Sequence, residues 1–102
     1  MYNQNIKADA EKMRLSLVPT EIIRAIAAVR EYGSKKYSNP NNWQQVEQQR
    51  YVDAAYRHWL ACVDDINSVD KESGLPHLWH MATNIAFLIE LNKNVYDENI
   101  NK

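Results

Sequence analysis

A chain of 102 residues with 45% hydrophobic side chains is the length of one domain and too apolar for wholesale disorder. Its net charge of −1 excludes a general polyanion binder. The charge is nevertheless uneven. Residues 24–57 carry Arg24, Arg30, Lys35, Lys36, Arg50 and Arg57 against Glu31, Glu47 and Asp53, while residues 58–102 carry three lysines against seven acids. That basic middle is too weak for duplex DNA and sufficient for a few phosphates.

The opening run, MYNQNIKADAEK, has no apolar stretch of the signal-peptide kind, and no run of ~18 apolar residues predicts a membrane span. The expected location is the cytoplasm. Residues 1–18 read as an extended or irregular arm, in which Lys12, Arg14 and Ser16 alternate with Met13, Leu15 and Leu17, a period of two that lets the arm lie flat with its basic groups on one side. A first helix is expected from Pro19–Thr20 to Gly33, with Ile22, Ile23, Ile26 and Ala27 as its apolar stripe.

GSKKYSNPNNWQQ, residues 33–45, reads as a loop punctuated by Gly, Ser, Asn and Pro. A second helix follows over about 48–66, where Val52, Ala55, Tyr56, Trp59, Val63 and Ile66 recur at spacings of three and four and predict a buried face. Cys62, the chain's single cysteine, excludes an internal disulfide and is expected as a buried thiol. After a break at NSVDKESGLP, a third helix is expected over about 75–95, apolar nearly all round. Three such helices make a thin core, and with three Trp and six Tyr in the chain this predicts a homo-oligomer.

Chemistry gathers on the second and third helices. His77, His80 and Asn84 lie at i, i+3 and i+7, so they share one face of an otherwise apolar helix. Buried polar groups must find partners or cost roughly 1–3 kcal/mol each, so something meets this stripe. The second helix supplies Arg57 and His58, and a guanidinium beside imidazoles suits a phosphate. The plainer reading of Arg57 is an ion pair with Asp53 or Asp64. Lys35, Lys36, Tyr37 and Trp43 in the loop add charge for phosphate and rings for a base. Histidines gain charge below roughly pH 6.5, so phosphate affinity carried by His58, His77 and His80 is expected to rise as pH falls from 8 to 6. Carboxylates near this set are few: Asp64, Asp65, Asp70 and Glu72.

The runs DAEKMRLSLVP, EYGSKKYSNPNNW, YRHWLACVDD and DKESGLPHLWHMATNIAFLIEL resemble the phage family of dATP/dGTP diphosphohydrolase N-terminal domains, over about residues 9–91. The resemblance rests on Lys12, Arg14, Gly33, Lys35, Lys36, Tyr37, Asn42, Trp43, Arg57, His58, Asp70, Glu72, Ser73, Gly74, His77, His80 and Asn84. Ser16 stands where an acid is expected, and Ser34 where Ala is usual. The related all-helical pyrophosphohydrolases place Glu-x-x-Glu and Glu-x-x-Asp on facing helices for magnesium; the equivalent-looking pair here is His77 and His80.

The sequence therefore predicts an all-α bundle of three main helices with an ordered N-terminal arm, one nucleotide-binding domain over 1–102 with 1–8 and 96–102 frayed. The nucleotide site is expected from Lys12, Arg14, Lys35, Lys36, Tyr37, Trp43, Arg57, His58, His77, His80 and Asn84. The leading expectation is sequestration of a phosphorylated nucleotide, linear or cyclic, against host nucleotide-signalling defence, without a metal or other cofactor. The alternative is hydrolysis of dATP or dGTP to monophosphate and pyrophosphate, with His58, Asp70, Glu72 and His77 as acid/base or metal groups and magnesium or manganese as cofactor. Neither duplex nucleic acid nor membrane is an expected partner, and the resemblance places the protein in an infected bacterial host.

Overall fold

The computed structural model describes residues 12–36, 39 and 41–95. The expected fraying at 1–8 and 96–102 lies outside them, as does Tyr37. Three α-helices carry the fold: α1 (Glu21–Lys36), α2 (Gln48–Asp64) and α3 (His77–Leu91). Short 3-10 turns precede α1 (Leu15–Leu17) and α2 (Asn42–Gln45). Helices are the regular secondary structure of the described residues, together with an isolated antiparallel bridge between Val69 and Pro76. No helix among them is long and apolar enough to cross a membrane.

The stretch before α1 departs from its expected form. The period-two alternation at 15–17 predicts extended chain, but Leu17 and Val18 donate backbone hydrogen bonds to Arg14 and Leu15, which closes a 3-10 turn. Leu15 and Leu17 both point to solvent. An alternating pattern fixes an extended chain only where a sheet or groove receives its apolar side.

α1 also overruns its expected stop. Gly33 in a helix interior costs about 1 kcal/mol relative to Ala. Three features carry the helix past it: the Ser34 hydroxyl donates back to the Glu31 carbonyl (2.9 Å), Lys35 and Lys36 suit the negative end of the helix dipole, and Lys36 is tied to Glu72.

α3 begins at His77 rather than Leu75. The Leu75 carbonyl accepts from the Asp70 N–H (2.8 Å) and the His77 N–H donates to Ser68 (3.0 Å), which holds Leu75–Pro76 extended. α3 ends at Leu91, short of the expected 95, because Asn92 caps it: its side-chain amide donates to the Leu88 carbonyl and to Gln48 of α2, both at 2.7 Å.

The loop between α2 and α3 turns at Gly74, whose φ is +74°. A Cβ there meets no neighbour within 4 Å, so the whole cost of a side chain is backbone strain. Gly74→Ala is expected to destabilise the fold by about 1 kcal/mol, read in thermal melts as a fall in Tm of roughly 4–8 °C.

α3 packs against both α1 and α2, and no close approach of α1 to α2 occurs among the described residues. The core is correspondingly thin: Ala25, Tyr51, Thr83 and Cys62, which is 3% exposed as its apolar setting predicts. The expected buried face of α2 is only half realised. Val52 and Ala55 are half-buried, but Tyr56, Trp59, Val63 and Ile66 are exposed, Tyr56 at 66%. α3 likewise leaves Leu78, Ile85 and Ile89 exposed. Helical periodicity reports an apolar stripe, not how much of it a single neighbouring helix covers.

Candidate functional site

All three histidines of the chain meet where α2 crosses the start of α3. His58 and His77 share a hydrogen bond, Nδ1 to Nδ1, at 2.8 Å. The His58 ring also stacks on His80, centroids 4.8 Å apart and 14° from parallel. The i, i+3 spacing on α3 aims His77 and His80 at α2, and the α2 register places His58 between them.

The ESG turn backs this cluster. Asp70 accepts the Ser73 N–H at Oδ2 (2.9 Å). The same oxygen lies 3.8 Å from His80 Nε2, and Ser73 Oγ lies 2.7 Å from that nitrogen. The Leu75 N–H donates to Ser73 Oγ at 3.1 Å, which fixes the hydroxyl. Ser73 belongs to the quoted motif but was not expected in the site; its spacing from His80 gives no helical signal, because it sits in a turn.

Burial sets the protonation states. It pushes His58 down to about 4, with repulsion from His80 and His77 adding and Asp70 opposing. His80 also falls below its ordinary value, through burial first and against the pull of Asp70. Burial raises the Asp70 carboxyl, but hydrogen bonds from Ser73 and the nearby His80 and His77 outweigh it and leave Asp70 below the usual range. At neutral pH the cluster therefore holds neutral His58 and His80 against an ionised Asp70. His58 and His80 thus take up a proton less readily than the free imidazole on which the expected gain of charge near pH 6.5 rests, because the cluster withholds from them the water that would solvate the cation.

The remaining expected residues divide. Lys36 reaches the ESG turn, pairing with Glu72, which also accepts from the Tyr32 hydroxyl at 3.3 Å. Lys36 holds Glu72 below its ordinary value. Lys35 and Arg57 are exposed, and Arg57 makes no ion pair with Asp53 or Asp64 among the described residues, contrary to the plainer reading. Lys12 and Arg14 are exposed ahead of α1, and no hydrogen bond or ion pair links them to the histidines among the described residues. Asn84 bonds its own helix, Nδ2 to the His80 carbonyl at 2.9 Å.

Trp43 is elsewhere. It stacks on Phe87 of α3 (4.5 Å, 13°), Tyr51 tilts onto the same ring (4.9 Å), and the Tyr51 hydroxyl donates to the Trp43 carbonyl. The Arg30 guanidinium lies 5.2 Å from the Phe87 centroid. These groups wall a cavity of about 410 Å³. Phe87 and Arg30 were missed as site residues; the available signal was that Phe87, the chain's one phenylalanine, follows His80 by seven residues on the same helical face.

The family model described as "dATP/dGTP diphosphohydrolase, N-terminal" matches residues 2–101. The chain belongs to that family. A relative from Salmonella phage PMBT28, named dATP/dGTP diphosphohydrolase, is 36% identical over 89 residues, 87% of this chain. The chain spans about 30% of that relative's length. No solved structure matches. The resemblance read from the motifs is thereby established for the diphosphohydrolase N-terminal family, whose match takes in both the histidine cluster and the aromatic cavity.

Proposed function

We propose that this chain acts in hydrolysis of dATP and dGTP to monophosphate and pyrophosphate, with His58, His77 and His80 as its chemical centre. Family membership supports the substrate class. The observation that carries the chemistry is the Nδ1–Nδ1 hydrogen bond between His58 and His77 at 2.8 Å. A hydrogen bond between the Nδ1 atoms of two neutral imidazoles has one donating and the other accepting. The donating ring then has a bare Nε2 and the accepting ring an Nε2–H. The pair presents one proton acceptor and one proton donor, which is what water attack and phosphate departure require. Asp70 and Ser73 hold His80 against this pair, and Glu72, engaged by Lys36 and Tyr32, positions the end of α1 rather than reacting.

A divalent ion was expected only with hydrolysis, and magnesium does not fit the donors. It prefers an octahedron of oxygens, whereas the groups here are imidazoles, with the Asp70 carboxylate held by Ser73 and Glu72 taken up by Lys36. Among the described residues, no set of three His, Cys, Asp or Glu side chains is arranged to hold a metal. Phosphate charge is instead met by Lys35, Lys36 and Arg57, with Lys12 and Arg14 on the preceding stretch.

Arg57 is exposed and unpaired with Asp53 or Asp64, so its loss should spare the fold. Arg57→Ala is expected to weaken nucleotide binding by roughly 1.5–3 kcal/mol, the scale of a lost charge-assisted bond. Calorimetric titration reads this, and a large fall in Tm with unchanged affinity would reassign Arg57 to structure.

Sequestration of a linear or cyclic nucleotide without turnover is the second reading, favoured by carboxylates that are already engaged, Asp70 by Ser73 and Glu72 by Lys36. Pyrophosphate release from dATP, dGTP, dCTP and dTTP, each with magnesium, manganese or chelator, separates the two. Hydrolysis predicts release from the purine nucleotides; sequestration predicts none from any.

A further inference from the structure

The cavity beside α3 has the chemistry to hold the other half of a nucleotide. One wall is aromatic, the Trp43–Phe87 stack with Tyr51 tilted against it. Two arginines, Arg30 and Arg50, line it, and its lining includes no carboxylate. Rings and guanidinium groups together suit a flat ligand that carries negative charge: the rings accept a stacked base and the guanidinium groups accept phosphate. The volume of about 410 Å³ falls within the ~300–1,000 Å³ typical of small-molecule sites.

Gly33 is the place on the cavity wall where bulk is most easily added. It lines the wall from α1, and a Cβ built there meets nothing within 4 Å. A side chain can therefore be added at this point of the wall without pressing on a neighbour.

Placement joins the cavity to the histidines. Phe87 follows His80 by seven residues on α3, about 10 Å along the axis at 1.5 Å per residue. On α1, Gly33 lines the cavity while Lys36, three residues on, reaches Glu72 of the ESG turn. A ligand seated at Phe87 therefore lies about two helical turns from His80.

We propose that this cavity holds the purine nucleoside part of the substrate, the base stacked against the Trp43–Phe87 wall, with the phosphates leaving past Arg50 along α3 so that the α–β bridge reaches the histidines. The inference rests on the hydrolase reading for which nucleotide binds, and the binding itself is measured without turnover.

The probe is the α,β-methylene analogue of dGTP, which cannot be split at that bridge, titrated calorimetrically into the chain, Gly33→Leu and Arg50→Gln. Inorganic tripolyphosphate is titrated in parallel. Leucine favours helix over glycine, so α1 tolerates the first change, and Arg50 is exposed, so the second spares the fold. The expected result is at least tenfold weaker analogue binding for both variants, with tripolyphosphate binding to Gly33→Leu within twofold of the parent chain. Three results overturn the proposal: analogue affinities within threefold for both variants, an equal loss of tripolyphosphate binding in Gly33→Leu, or no analogue binding to the parent chain at millimolar concentration. Loss of analogue binding in Gly33→Leu sustains the cavity assignment even if dGTP is never hydrolysed, so this test and that of the hydrolase reading fail separately.

Discussion

His58→Gln is expected to lower the rate of dGTP hydrolysis by about 10²–10⁴-fold, the usual contribution of a positioned acid or base, while KM stays within a few-fold. His58 is the one residue that touches both other imidazoles, through the 2.8 Å bond to His77 and the stack on His80. Glutamine keeps comparable size and offers a hydrogen bond to His77, but it cannot shuttle a proton at neutral pH. Binding should persist, because the cationic groups and the aromatic cavity remain. Steady-state kinetics on the two chains decide it. A loss confined to KM would mean that His58 binds substrate without taking part in proton transfer.

The second large effect is on stability. The folded-state value for His58, about 4, lies below the ~6.5 of an unfolded chain. Between those values the unfolded state binds the extra proton, so His58's contribution is fully present above pH ~6.5 and drains away as pH falls toward 4. A shift of this size has a ceiling of about 3 kcal/mol, and partial access to water reduces it to roughly 1–2 kcal/mol. His80 moves in the same direction. Asp70, held low, loses its own contribution only at more acidic pH. Denaturant unfolding at pH 7 and pH 4.5 should show the drop, and His58→Gln should flatten it. A parent chain equally stable at both values would contradict the buried, neutral cluster.

What was legible in the sequence was local. The i, i+3 spacing of His77 and His80, and the place of His58 on the neighbouring helix, were enough to bring the three imidazoles together. Charge state was not legible, because it depends on water excluded by residues nineteen or more positions away. Nor was the Trp43–Phe87 stack, a contact across 44 residues between a loop turn and a helix. Trp43, expected beside the histidines for its ring, lies instead in the cavity wall on Phe87. Gly33 read as a helix stop; it is instead an opening in a continuous helix. The apolar stripe of α2 was legible as a stripe, but its cover was not, since α3 is its one helical neighbour among the described residues.

The most direct test is chromatography of a quenched incubation of dGTP with the chain and, alongside, with His58→Gln. The histidine-centred account predicts dGMP and pyrophosphate in equal amounts from the parent chain and neither above background from the variant. Intact dGTP released on heating the parent chain, or equal product from both chains, would contradict it.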